Sequence, residues 1–142
     1  MRASARRSRR IRVGADEAWS VVRRADLLHL WFPGLERCSV DGATRTITTG
    51  AGLTLTEDLL TNDDLQRRFQ YRISGGFFRE HLASIDVIEL GADECLVVYA
   101  SDADPATMAV ILGGVMEEAL AELAAQLEAG TGPAVDAARK EP

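Results

Sequence analysis

Residues 105–128, PATMAVILGGVMEEALAELAAQLE, decide the reading of this chain. Met108, Ile111, Leu112, Val115, Met116, Ala119, Leu120, Leu123 and Leu127 recur at steps of three, one and four, which makes one apolar stripe at helical period. Asp104 suits an N-cap and Pro105 the first helical position. Gly130, Gly132 and Pro133 end the pattern. The spacing therefore predicts one long amphipathic helix from Pro105 to about Glu128. Gly113 and Gly114 interrupt it, at a cost of roughly 1 kcal/mol each relative to alanine. Gly113 flanks the stripe and Gly114 lies nearly opposite it. The pair marks a bend, a close approach of a neighbour, or a hinge that lets the helix lift.

Upstream, the period changes from helical to alternating. Residues 6–13 predict a first strand with Ile11 and Val13 on one face. Asp16 is placed to cap a short helix over 16–24, and a second short helix covers Leu27, Leu28, Leu30 and Trp31 before Pro33-Gly34 stops it. Six strands follow, at about 35–41, 44–49, 53–60, 67–73, 79–90 and 94–101. Their turn signals are Asp41-Gly42, Gly50-Ala51-Gly52, Asn62-Asp63-Asp64, Ser74-Gly75-Gly76 and Gly91-Ala92-Asp93. Connections this short force antiparallel neighbours. A seven-stranded sheet with one apolar face needs a cover, and only the 105–128 stripe is long enough to supply it. Sheet and helix so arranged enclose a cavity.

At 142 residues and 46% hydrophobic content the chain is expected to form one domain with a substantial core. The expected organisation is a flexible basic N-terminus at 1–5, a single domain at 6–129 and a disordered tail at 130–142. No run approaches the roughly 18 apolar residues of a membrane span, and no apolar segment follows the N-terminal arginines as in a secretory signal. Cys38 and Cys95 read as reduced thiols in a cytoplasm. His29 and His81 lack ligand spacing, so neither a metal nor another cofactor is expected. The net charge of -6 hides an asymmetry: Arg2, Arg6, Arg7, Arg9, Arg10 and Arg12 crowd the start. Such an arm can touch nucleic acid or anionic lipid. The acidic remainder repels phosphate, which argues against a nucleic-acid partner.

The element order, together with Ala15-Asp16-Glu17-Ala18-Trp19-Ser20-Val21-Val22, Trp31-Phe32-Pro33-Gly34 and Val40-Asp41-Gly42 followed by Thr44-Arg45, resembles the SRPBCC superfamily. That superfamily includes START-like lipid-transfer domains and polyketide cyclases/dehydrases. Glu57, Arg67-Arg68, Tyr71-Arg72-Ile73 and His81 are similar to bacterial members of the cyclase/dehydrase type. The resemblance covers residues 6–128. It implies an α+β helix-grip fold: a curved seven-stranded antiparallel sheet wrapped around the C-terminal helix, two short helices between the first two strands, and a hydrophobic cavity inside.

Strand parity says which side chains face that cavity. Leu53, Leu55, Glu57 and Leu59 share one face of their strand; Phe69, Tyr71 and Ile73 share another; His81, Ala83, Ile85 and Val87 a third. With tight hairpins at 61–66 and 74–78, Glu57 faces Tyr71 and Tyr71 faces His81. A carboxylate, a phenol and an imidazole in a row would suit acid–base work on a bound carbonyl compound: removing an α-proton, stabilising the enolate and expelling water. The same three groups could equally satisfy one another inside a polar-lined pocket. Trp31, Leu55, Phe69, Ile85, Tyr99, Met108, Leu112, Val115 and Met116 are the expected ligand-binding wall. His29 and Trp31 lie near the expected mouth. Arg37 and Arg45 are expected on the outer face, paired with acidic neighbours.

Two functions of different classes follow. One is a binding module that holds a polyketide-, aromatic- or lipid-like small molecule. The other is a cyclase or dehydratase working on such a molecule without metal. A third, an interaction protein of the stress-regulator kind, has only the arginine arm to support it. The expected partner is a hydrophobic ligand, with a homodimer left open.

Overall fold

The computed structural model describes residues 1–140. In chain order it contains β1 (Ala3–Ile11), α1 (Ala15–Val22), a 3-10 helix (Ala25–Leu30), β2 (Leu35–Asp41), β3 (Thr44–Thr49), β4 (Thr54–Asp63), β5 (Arg68–Ile73), β6 (Glu80–Gly91), β7 (Glu94–Asp104), α2 (Ala106–Ala129) and α3 (Pro133–Arg139). The strands form one antiparallel sheet in the order β1-β7-β6-β5-β4-β3-β2. This is the helix-grip arrangement that the family resemblance implied. No helix among the described residues is long and apolar enough to cross a membrane.

Alternation builds the sheet's inner face. In β7 the side chains at Cys95, Val97, Tyr99, Ser101 and Ala103 are buried, and those between them are only half-buried. The same period of two buries Phe69, Tyr71 and Ile73 on β5 and His81, Ala83, Ile85 and Val87 on β6. Helix α2 lies across β1 and β7. Its buried face runs Ala109, Gly113, Met116, Leu120, Leu123 and Leu127. Ile111, expected in the stripe, is 58% exposed, because two residues from Ala109 is a rotation of about 200° around the helix. Asp104 is not the cap. It ends β7, where Arg79 holds its carboxylate at 2.6 Å, and Pro105 occupies the cap position. Likewise α1 starts after Gly14 without a side-chain cap, and Asp16 instead accepts from Arg67 at 2.8 Å.

Both expected loose ends are structured. β1 begins at Ala3 rather than 6, because its register with β7 continues from Ile11↔Cys95 to Ala3↔Ala103. Four arginines of the arm are drawn into ion pairs, Arg2 with Glu80, Arg7 with Glu117, Arg10 with Glu94 and Arg12 with Glu128. Beyond α2, Gly130 (φ 72°) turns the chain back and α3 docks with Ala134 and Val135 buried. The Gln126 side chain makes this possible: its Oε1 accepts from the Ala134 N–H at 2.8 Å, and its Nε2 donates to the Leu30 carbonyl at 2.9 Å. The signal for α3 was Pro133 at a first helical position with Ala134, Val135 and Ala138 on one face. Of the expected tail, residues 141–142 lie outside the described residues.

The glycine pair separates into two roles. A Cβ on Gly113 would stand 2.8 Å from Arg7 Nη2 and 3.3 Å from Ala5 Cβ, so Gly113 admits β1 to the helix. A Cβ on Gly114 would meet nothing within 4 Å. Gly114→Ala is expected to raise stability by up to about 1 kcal/mol, whereas Gly113→Leu is expected to lower it by about 1–3 kcal/mol through overpacking. Urea unfolding of the two variants checks both signs.

Candidate functional site

The inner face of the sheet carries buried polar groups among its apolar ones: Arg45, Glu57, His81 and Ser101. Arg45 and Glu57 are direct partners across β3 and β4. Arg45 Nε donates to Glu57 Oε1 at 2.5 Å, and Nη1 donates to the Ala25 carbonyl at 3.1 Å. The guanidinium carbon lies 4.7 Å from the centre of the Tyr71 ring and 5.4 Å from that of Phe69. Nη2 is closed from solvent and has no hydrogen-bond partner among the described residues. Arg45 thus faces inward, not outward as expected. Cross-strand partners share a face, and Glu57 faces in. Ile47, the one apolar residue of β3, sits two positions from Arg45 and carried this signal in the sequence.

Burial pushes the Glu57 carboxyl up, against the lowering effect of Arg45 beside it. Burial is the largest effect on Arg45 and opposes its charge, but Glu57, Tyr71 and Tyr99 together more than offset it and the guanidinium keeps its proton. The two phenols nearby are likewise buried. Tyr71 and Tyr99 hydrogen-bond to one another through their hydroxyls. Burial, the largest cause in each, raises both above the usual phenol value. Both stay neutral, so one hydroxyl donates to the other and one hydroxyl hydrogen is left for a further acceptor.

The expected row of Glu57, Tyr71 and His81 does not form. Glu57 pairs with Ile73, Tyr71 with Leu59 and Ala83, and His81 with Ala103. Both hairpins turn later than expected and the register is displaced by two residues in each; in the first, β4 runs on to Asp63. A displacement of two keeps every side chain on its face, which is why all three still point inward. The His81 ring still lies 5.8 Å from that of Tyr71, but its nitrogen is committed elsewhere. Its Nδ1 accepts the backbone N–H of Ile73 at 2.9 Å, where β5 and β6 have stopped pairing, and Phe78 packs edge-on against its ring at 4.9 Å. An accepting Nδ1 is unprotonated, so the hydrogen of the neutral ring is on Nε2.

A cavity of about 230 Å³ lies between the sheet and the start of α2. Leu28, Phe32 and Leu35 form one wall, Ile47, Leu55 and Ile73 the floor, and Phe77, Phe78, Met108 and Leu112 the remainder. Glu57 and Tyr71 are its polar residues. Of the expected site residues, the cavity therefore brings together Glu57, Tyr71, Leu55, Met108 and Leu112. Trp31, Phe69, Ile85, Tyr99 and Met116 are packed into the core instead, and Val115 is half-buried on α2. Phe32, Phe77 and Phe78 were not anticipated as wall; the last two sit in what reads as a plain turn. A wider, more open crevice of about 620 Å³ lies beside His81 at the ends of β5 and β6. Its arginines are already engaged, Arg2 by Glu80, Arg72 by Asp58 and Arg79 by Asp104. The apolar cavity is the better candidate. Among the described residues, no three His, Cys, Asp or Glu side chains stand together as a metal site.

The family described as polyketide cyclase / dehydrase and lipid transport matches residues 2–128. The chain belongs to this family. Solved structures share its fold. The protein XoxI from Bacillus cereus superposes with a TM-score of 0.79 at 22% identity, over 87% of this chain and 94% of that one. The Zhui aromatase/cyclase of a Streptomyces species gives 0.76 at 15% identity, over 92% and 96%. A START superfamily protein from Mycobacterium smegmatis gives 0.69 at 15%, over 89% and 94%. No functionally curated protein matches the chain in sequence. At these identities the likeness to the solved structures is one of fold, so what this cyclase/dehydrase-family member does must be argued from its own residues.

Two outcomes follow from the buried groups. Arg45→Met strands a carboxylate in the core and is expected to cost about 3–5 kcal/mol, most of it recovered in Arg45→Met/Glu57→Leu. Denaturant unfolding of both variants measures this. Burial lowers the His81 pKa from 6.5 to about 4, with the Asp102 carboxylate working the other way. The folded state therefore favours the neutral ring. That contribution, about 3 kcal/mol, is complete above pH ~6.5 and is lost as the pH falls towards 4. His81→Phe is expected to flatten the dependence of the unfolding midpoint on pH across this window, relative to the parent chain.

Proposed function

We propose that this chain holds a small, mostly apolar molecule in the cavity between sheet and α2, with Glu57 and Tyr71 at its polar end. The observation that carries this reading is the composition of the wall. Aromatic and aliphatic side chains surround the space, and the polar groups they admit are a buried carboxylate and a buried phenol. Few polar groups among many apolar ones is the pattern of small-molecule sites. The volume narrows the ligand further. About 230 Å³ is below the roughly 300–1,000 Å³ of sites for drug-sized molecules. It favours a fused-ring or short-chain compound over a lipid with two acyl chains. The free thiols of Cys38 and Cys95 suit a reducing compartment, and a cytoplasmic location belongs to the proposal.

The alternative is a cyclase or dehydratase acting in the same space. One observation favours it: Glu57, with its carboxyl pushed up by burial, stands in the cavity wall where it could accept and return a proton. Two others weigh towards binding. The Tyr71 hydroxyl is engaged by Tyr99, and His81 is pinned behind the wall by the Ile73 N–H.

Leu112→Trp tests the reading by filling the cavity. The neutral fluorophore N-phenyl-1-naphthylamine is expected to bind the parent chain and to lose at least tenfold in affinity for the folded variant. Equal binding by both would place the ligand elsewhere.

A further inference from the structure

The carboxylate of Glu57 is only half used. Its Oε1 takes the hydrogen of Arg45 Nε, and its Oε2 makes no hydrogen bond among the described residues. That oxygen is not sealed off as Arg45 Nη2 is. Glu57 is 1% exposed and lines the cavity, so the little surface it keeps is turned to that space. Its surroundings are apolar. Ile73 stands opposite it on β5, and Leu55 is the next side chain along the same face of β4. The Tyr71 hydroxyl is engaged with Tyr99. Leu53 (43% exposed) and Phe77 (63%) also belong to the wall but reach solvent, and mark the mouth. Glu57 therefore lies at the deep end.

A carboxylate oxygen left unmet in an apolar wall is costly, so an occupant that brings it a hydrogen is favoured. Charge narrows the class. The Arg45 guanidinium already balances the Glu57 carboxylate. An ammonium group would lose its hydration on entry and meet a cation beside the anion. An ionised carboxylate would set a second negative charge against Oε2 and has no hydrogen to give. We propose that the deep end of the cavity selects a compact apolar molecule with a neutral hydrogen donor, an O–H or an amide-type N–H, which donates to Glu57 Oε2. The hydrocarbon body lies against Phe32, Phe77 and Phe78. Arg45 is a positioning residue: it holds Oε1 and so aims Oε2, and it touches no ligand. This deepens the binding reading above and rests on it.

Naphthalenes of similar shape test this on the parent chain at neutral pH, by displacement of N-phenyl-1-naphthylamine. 2-Naphthol is expected to bind at least about tenfold more tightly than 2-methoxynaphthalene, in which the same oxygen has lost its hydrogen. 2-Naphthoate and the cation 2-naphthylmethylammonium are expected to bind no better than the methyl ether. In Glu57→Gln the amide oxygen takes over the Arg45 Nε hydrogen and leaves the NH2 group facing the cavity as a donor. The preference for 2-naphthol over the ether is therefore expected to vanish or reverse in the folded variant. Should that variant not fold, the parent series decides alone. Equal binding of 2-naphthol and its ether by the parent chain would overturn this proposal while leaving the cavity reading standing. So would tighter binding of the cation, or an unchanged preference in folded Glu57→Gln. Failure of every compound, and of the fluorophore, to bind the parent chain would overturn both.

Discussion

The ion pair between Arg45 and Glu57 is the constraint around which the rest of the sheet's inner face is arranged. Removing two charges from water is expensive, and the attraction between them repays it only when the remaining polar atoms are also served. The structure serves most of them. The Ala25 carbonyl takes one guanidinium nitrogen, which fixes the 3-10 helix over the end of β3. The faces of Tyr71 and Phe69 take up the cation's flat surface. The β3–β4 register places the carboxylate directly opposite. An aliphatic pair would fill the same space at no electrostatic cost, so the charges make the cavity wall polar at one chosen end. Pairs of this kind fix register as well as chemistry, because a slip of one residue would turn one charge to the outer face and leave the other buried without its partner.

Much of the architecture was legible in the chain, and the reasons differ by element. The strands were legible because their alternation is regular and their turns carry glycine and aspartate. The grip helix was legible from nine apolar residues at one period, although Ile111 shows that apolar identity and burial are separate facts. The inward direction of Glu57, Tyr71 and His81 was legible because period two is robust to any even displacement of register. Their mutual distances were not, because these depend on where each hairpin turns. Nothing local in the 61–66 stretch says that β4 continues to Asp63 or that a bulge lies between Leu59 and Thr61. The inward direction of Arg45 ran against residue type, because arginine is rarely buried unless paired, although Ile47 two positions along shares its face. The docking of α3 depended on Gln126 reaching back to the Ala134 N–H, a long-range contact that no local pattern encodes.

The same details separate holding a molecule from transforming it. Acid–base chemistry needs a group whose proton can move and a partner free to answer it. Glu57 is positioned on the wall with its carboxyl destabilised by burial, but the imidazole that would complete a relay spends its free electron pair on the Ile73 N–H. The fold shared with the Zhui aromatase/cyclase shows that this scaffold accommodates an enzyme. It leaves the assignment in this chain to the few polar atoms described above.

His81 also marks a seam in the sheet. β6 and β7 pair along nearly their whole length, and β1 joins them, so these strands with α2 make one continuous block. β5 meets β6 only over Arg68–Tyr71, after which a histidine side chain stands in for the missing ladder bond. On the far side β5 is bound to β4, and Ser74 N–H returns to the Thr56 carbonyl at 3.3 Å. The β5–β6 ladder is therefore short, and a histidine side chain carries part of the junction between the β3–β5 strands and the block of β6, β7 and β1. The cavity has its floor on the β3–β5 strands and part of its wall on the helix of the block. A molecule held there would therefore touch both sides of that junction, Ile73 on one and Met108 and Leu112 on the other.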